Sequence, residues 1–176
     1  MEDFKLNLDV DTKAILLIFM NDETILRFLT IPTTSPSFDV LQITTTNPSI
    51  TETKTIGERF NEYFFTTTGQ PIFLNWGRLP TVDDEEKGRI CLYPGNIGLS
   101  NHIAPTDYLI DIFVPYDWHR YDNRGYRLMK RVVELLNDTN IFGNVGKSNG
   151  IVARPIFGIE GYVGYQLQFR NQNFVK

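Results

Sequence analysis

The spacing of apolar residues changes period several times along the chain, and each change marks a predicted element. Ile15, Ile18 and Phe19 recur at helical spacing, and Ile25, Leu26 and Leu29 resume it after the polar Asn21-Asp22-Glu23. This predicts helix from about Val10 to Leu29, with Asp11 or Thr12 capping its start. Asn21 and Asp22 are capping residues too, so one kinked helix and two abutting helices both fit. Pro32 ends the run. Ile56, Phe60 and Phe64 then fall at i, i+4 and i+8, predicting a short amphipathic helix over Ile56–Phe65.

Alternation takes over further on. Tyr108, Ile110, Ile112 and Val114 line one side of a strand that Pro115 stops, while Leu109, Asp111 and Phe113 line the other. One side is wholly apolar and the other only partly so, as suits a sheet with helices on one face. Shorter strand signals lie at Pro71–Trp76 and at Arg89–Tyr93, the latter closed by Pro94-Gly95. Near the end, Arg154–Ile159 leads through Glu160-Gly161 into Tyr162–Arg170. There Val163, Tyr165, Leu167 and Phe169 alternate with Gly164, Gln166, Gln168 and Arg170, which predicts an antiparallel hairpin. Between these strands, Asn123–Asn137 reads as a two-faced helix. Leu128, Val132, Leu135 and Leu136 form its apolar arc, and Arg127, Lys130, Arg131 and Glu134 its polar side. The fold class expected is α+β: an antiparallel sheet of about four or more strands with two main helices packed on one face.

The stretch from Thr30 to Thr55 fits neither period. It is rich in Thr and Ser and broken by Pro32, Pro36 and Pro48, and long structureless loops are unusual inside compact domains. Two readings compete: an extended arm that meets a neighbouring chain, with a strand in Gln42–Thr46, or a loop folded over its own domain. The expected organisation is a single domain over residues 1–176, with 30–55 as an extended arm or insertion.

Composition narrows the function classes. The 176 residues carry a net charge of −4, the balance of an ordinary globular protein rather than one that neutralises several nucleic-acid phosphates. The single cysteine, Cys91, excludes an intramolecular disulfide and reads as a small strand residue. The acidic start MEDFKLNLDV lacks the pattern of a secretory signal, and the longest apolar run, Ala14–Met20, is too short to span a bilayer. The expectation is a protein made in the cytoplasm, with no membrane partner.

Candidate chemistry is sparse. Gly143-Asn144-Val145-Gly146-Lys147-Ser148 ends like a phosphate-binding loop, but Ile141 stands where the pattern needs its first glycine. The stretch also follows a helix and leads toward a strand, the reverse of the context that aims amides at phosphate. Gly158, Gly161 and Gly164 suit a tight turn at Gly161 and a close approach at Gly164 better than a dinucleotide fingerprint. His102 and His119 are the only histidines, with no metal-ligand spacing around them. No Gly-x-Ser-x-Gly elbow is present, and Asp83-Asp84-Glu85-Glu86 reads as a solvated acidic loop. The expectations are therefore no catalytic residue, no metal and no cofactor. The aromatic corner Tyr116, Trp118 and Tyr121 has two readings: a plug at the end of the sheet, or a surface where proteins meet.

Four segments taken together carry a resemblance. NDETILRFL (Asn21–Leu29), IDIFVPYDW (Ile110–Trp118), GYRLMKRVVELLN (Gly125–Asn137) and EGYVGYQLQF (Glu160–Phe169) resemble the tail terminator, or tail completion, family of long-tailed bacteriophage neck proteins. The likeness covers the N-terminal helix and the chain from about Arg89 onward. The Thr-rich stretch and the segment to Lys87 depart from the family pattern. The resemblance implies a structural virion protein, not an enzyme, assembled in the host cytoplasm. It would form a homo-oligomeric ring, usually a hexamer, that caps the tail tube and joins it to the head connector. Its implied partners are further copies of itself, the tail tube protein, the head connector protein, and genomic DNA passing through the lumen without sequence-specific binding. On that basis Tyr116, Trp118, Tyr121, Val40 and Ile43 are candidate interface residues, and Asp83, Asp84, Glu85 and Glu86 a candidate lumen or rim loop. The alternatives are a head-closure, connector or sheath-terminator ring of the same neck. From a different class, the alternative is a nucleotide-binding enzyme using Gly143–Ser148.

Overall fold

The computed structural model describes residues 8–64, 71–75, 77, 80, 86–97, 103–138 and 148–174. In chain order the elements are α1 (Leu8–Asn21), α2 (Glu23–Thr30), α3 (Ile50–Thr53), α4 (Ile56–Tyr63), β1 (Phe73–Leu74) and β2 (Arg89–Ile97). They continue with β3 (Ile103–Pro115), α5 (Tyr116–Asp122), α6 (Arg124–Asp138), β4 (Ser148–Ile156) and β5 (Tyr162–Phe174). The sheet order is β1-β2-β3-β5-β4. Pairs β2–β3, β3–β5 and β4–β5 are antiparallel, but β1 runs parallel to β2, so the sheet is mixed rather than wholly antiparallel.

The alternation in β3 sorts the two faces as expected. Tyr108, Ile110, Ile112 and Val114 join Ile90, Leu92, Leu167 and Phe169 on the face that α1, α2 and α6 cover. Phe113 and Cys91 belong to a smaller apolar cluster on the opposite face. That face is otherwise polar and internally bonded. Asp111 accepts from the Tyr93 hydroxyl at 2.7 Å and from Gln166 Nε2 at 2.9 Å, and Asp107 accepts from Gln168 Nε2 at 2.8 Å. Burial, followed by the bond to Asp111, pushes the Tyr93 phenol well above its ordinary range.

The early helix is two helices, and Asp22 is the reason. Its Oδ1 accepts from Ile25 N at 2.9 Å as the N-cap of α2, with extended backbone at φ −94. The other oxygen receives Arg131 Nη2 at 2.6 Å and Nε at 3.1 Å, so one carboxylate caps α2 and ties it to α6.

Several boundaries differ from the sequence reading. β2 does not stop at Pro94-Gly95: Pro94 still pairs with Tyr108, and a register shift between Pro94 and Ile97 absorbs the irregularity. β4 ends at Ile156, which leaves Phe157 outside the strand. The corner after Pro115 is helix α5, closed by Asn123 in the left-handed conformation at φ 56.

The Thr-rich stretch takes the second of its two expected readings, a loop folded over its own domain. It does not project as an arm, and Gln42–Thr46 forms no strand; the segment folds back onto α2. Val40 is fully buried in the main core, with Phe38, Leu41 and Ile50 packed against it. Arg27, almost wholly buried, donates from Nε to Val40 O at 2.7 Å, from Nη2 to Gln42 O at 2.9 Å and from Nη1 to Pro48 O at 3.0 Å. One turn earlier, Glu23 accepts from Ile50 N at 2.9 Å and Thr51 N at 2.7 Å, anchoring the start of α3. Burial disfavours the Glu23 carboxylate, but the backbone bonds from Ile50 and Thr51 outweigh it and hold its pKa below the usual carboxylate range. A second guanidinium, Arg124, fastens the other end of the segment. It is fully buried, pairs with Asp122 at 2.9 Å, bonds the carbonyls of Phe28 and Ile31 and the Thr33 hydroxyl, and lies 4.9 Å over the Trp118 ring.

Arg27→Met keeps the side-chain bulk but strands these loop carbonyls. The expected outcome is a loss of about 3 kcal/mol in urea unfolding, with faster amide exchange confined first to residues 38–51. Arg27→Lys should recover little, because an ammonium cannot reproduce the planar fork.

Candidate functional site

Where β4 leaves the sheet, the chain forms a groove of about 600 Å³ between the β4–β5 hairpin and the start of α6. Its walls come from Tyr116 on α5, Tyr126 and Met129 on α6, and the segment from Ala153 to Ile159. Tyr162 to Tyr165 of β5 form the remaining wall. Arg154 is the only charged residue among them. Phe157 is 85% exposed, Tyr116 54% and Tyr126 52%, a concentration of apolar surface that a lone globular domain seldom leaves in water.

Three backbone features shape the groove. Gly158 and Gly161 have φ of +80 and +75, so the hairpin turns in a conformation that side chains rarely adopt. At Gly164 a Cβ would lie 3.0 Å from Ile156 Cβ and 3.2 Å from the Phe113 ring, which confirms the close approach expected there. At Gly125 a Cβ would lie 2.8 Å from the Tyr165 ring and 3.0 Å from His119 Nδ1.

That closeness assembles His119, Tyr126 and Tyr165 into one ring cluster. Centroids lie 5.2 Å apart for His119–Tyr126 and for Tyr126–Tyr165. His119 Nδ1 accepts the Gly125 amide at 3.1 Å, which requires a neutral ring with its proton on the other nitrogen. Burial lowers the His119 pKa, and Asp122 only partly offsets this. Burial and the Tyr126 hydroxyl push the Tyr165 phenol up.

The sequence-predicted interface residues separate into surface and core. Tyr116 and Ile43 are exposed, Ile43 at 55%. Tyr121 is half-buried and borders a smaller polar depression with Asp39, Asp122 and Arg127. Val40 and Trp118 are core residues, corrected here from candidate contacts: Val40 sits beneath the folded-back loop and Trp118 beneath the Arg124 guanidinium. Of the acidic loop, Asp83, Asp84 and Glu85 lie outside the described residues, and Glu86 is exposed. Gly143–Lys147 also lie outside them, and Ser148 opens strand β4, not a helix. Phe157 and Tyr126 were absent from the sequence-based set. The signal for Phe157 was its place directly before Gly158, where a strand can end and leave its last apolar side chain in solvent.

Among the described residues no cluster of three or more His, Cys, Asp or Glu side chains is placed to hold a metal ion. Nor is any described helix long and apolar enough to cross a membrane. The groove therefore offers apolar area, ring faces and one cation. Those are the means of binding a protein segment.

The chain matches the YomW family model over residues 22–171, from the cap of α2 into β5. It belongs to the YomW family. This is a phage-derived family, so the chain is a phage-associated protein. No curated protein matches it. The YomW match takes in the whole of the groove and of the strapped loop.

Because the unfolded histidine takes up a proton that folded His119 resists, stability is expected to fall as pH drops below the ordinary 6.5, and to level off below the folded pKa. Urea titrations between pH 8 and pH 5 should show this slope in the native chain and not in His119→Gln. In Gly125→Ala the Tyr165 ring must move, with an expected loss of about 1–3 kcal/mol and a change in tyrosine near-ultraviolet dichroism.

Proposed function

We propose that this YomW-family protein is a structural component of the head–tail neck of a tailed bacteriophage. In this reading copies of the chain close into a ring that caps the tail tube and meets the head connector. The observation that carries it is the exposed, ring-lined groove beside strand β4, on a fold whose buried guanidinium groups Arg27 and Arg124 are engaged in structural bonds. Buried guanidinium and carboxylate groups elsewhere in a fold can signal a reactive site. Here Arg27, Arg124, Glu23 and Asp22 are taken up by caps and loop carbonyls, which leaves assembly as the better use of the surface. The phage derivation of the family supports the same setting, and a net charge of −4 suits a conduit that lets DNA pass without gripping it. The protein has no catalytic role in this reading and no cofactor. Its partners are its own copies, the tube protein and the connector, and its place is the virion.

Gold-labelled antibody against the chain should mark the junction of head and tail on purified particles. A nonsense mutation in its gene should yield filled heads and separate tubes of non-uniform length. Label at the distal tail tip or on the capsid shell, or absence of the chain from particles, would overturn the proposal. Added ATP or GTP should leave the melting temperature unchanged; a saturable rise would favour the nucleotide-binding alternative.

A further inference from the structure

Among the described residues, the large apolar side chains that are more than half exposed fall in two separate places, one concave and one convex; Leu17, Ile56 and Val152 are less exposed and lie elsewhere. The concave place is the groove, with Phe157, Tyr116 and Tyr126 at its margin. The convex one is Ile43, 55% exposed beside the turn that Thr44 and Asn47 close with reciprocal backbone bonds of 3.1 and 3.2 Å. An isolated exposed isoleucine is unremarkable. This one differs because the chain on either side of it is fixed. The Arg27 guanidinium holds the carbonyls of Val40, Gln42 and Pro48, and Val40 is buried in the core three residues away. An apolar side chain on a pre-ordered loop loses little further entropy when it docks.

Charge distinguishes the two places as well. Arg154, exposed, is the only ionic residue lining the groove. Asp39 is exposed on the same loop as Ile43, and only its Oδ1 is engaged there, by Leu41 N at 3.0 Å. No residue between Asp39 and Asn47 lines the groove, so a single copy carries both halves of a contact at different sites.

We propose that these halves meet between copies: Ile43 of one subunit seats in the groove of the next, beside Phe157, with Asp39 facing Arg154. This rests on the ring reading and deepens it, since a contact between two different patches is heterologous and propagates head to tail until it closes. The loop thus makes its contact as a fixed knob and not as a projecting arm.

The lone cysteine, Cys91, is buried, so engineered thiols can report the contact cleanly. Ile43→Cys and Phe157→Cys chains, both altered at exposed sites, are prepared separately, mixed and oxidised. The mixture should give a disulfide-linked heterodimer, and each variant alone should give none. Native mass spectrometry of the unsubstituted full chain reports the assembly independently. Ile43→Asp should weaken self-association by about tenfold or more. Arg154→Asp should weaken it similarly, and adding Asp39→Arg in the same chain should restore most of it. A ring that forms without the 43–157 cross-link overturns this contact and leaves the ring reading standing. The cross-link within a closed two-fold dimer supports the contact and overturns the ring. A chain that stays monomeric without the cross-link overturns both.

Discussion

Every buried carbonyl must find a donor, and in this fold guanidinium groups, Arg27 and Arg124 foremost, meet that demand where no helix or strand can. The long segment after α2 has prolines and β-branched residues that keep it irregular, yet it lies against the core. Its carbonyls at Val40, Gln42 and Pro48 would be stranded without Arg27, and those at Phe28 and Ile31 would lose the Arg124 guanidinium. A guanidinium suits this task because its planar fork reaches several acceptors at once. Each is balanced by a carboxylate on its own side of the structure, Glu23 for Arg27 and Asp122 for Arg124. The irregular segment therefore reaches the core at Thr33, Val40 and Ser49, although most of its other side chains stay exposed. The position of Ile43 on the surface follows from where Arg27 points.

How far the fold could be read from the chain follows the range of the forces involved. Period-2 and period-3.6 patterns act over neighbouring residues, so β3, α6 and the closing hairpin were legible, as was the cap at Asp22 that splits α1 from α2. The parallel pairing of the two-residue β1 with β2 was not legible, because it rests on register between strands and not on any local pattern. For a related reason, the sequence leaves residues 30–55 open between a projecting arm and a loop folded over its own domain. Arg27 and Glu23 look like an ordinary i,i+4 helix pair in the sequence, and nothing nearby says that their partners lie 13 to 28 residues further on. The site followed the same rule. Tyr116 was readable as an aromatic at a corner, whereas Trp118, two residues on, faces the opposite way under Arg124. Phe157 became visible as a surface residue only once β4 was known to stop at Ile156.

The groove depends on small residues as much as on large ones. Gly164 admits Phe113 and Ile156 against the β5 backbone, and Gly125 admits Tyr165 against His119. These contacts set the ring faces at fixed angles before any partner arrives. On the opposite side of α6, Arg131 serves Asp22 and so links two of the helices that cover the sheet.

The sheet order also sets a timetable. Among the described residues β5 comes last in chain order but lies inside the sheet, between β3 and β4, and β4 has no other strand partner there. Until residues 162–174 have left the ribosome, β3 shows an open edge and β4 has nothing to pair with. The apolar groove cannot form either, since one of its walls is β5 itself. A nascent chain therefore cannot present the groove while it is still being made. The groove is thus completed last, with the strand that closes the sheet, and any contact made there must wait for it.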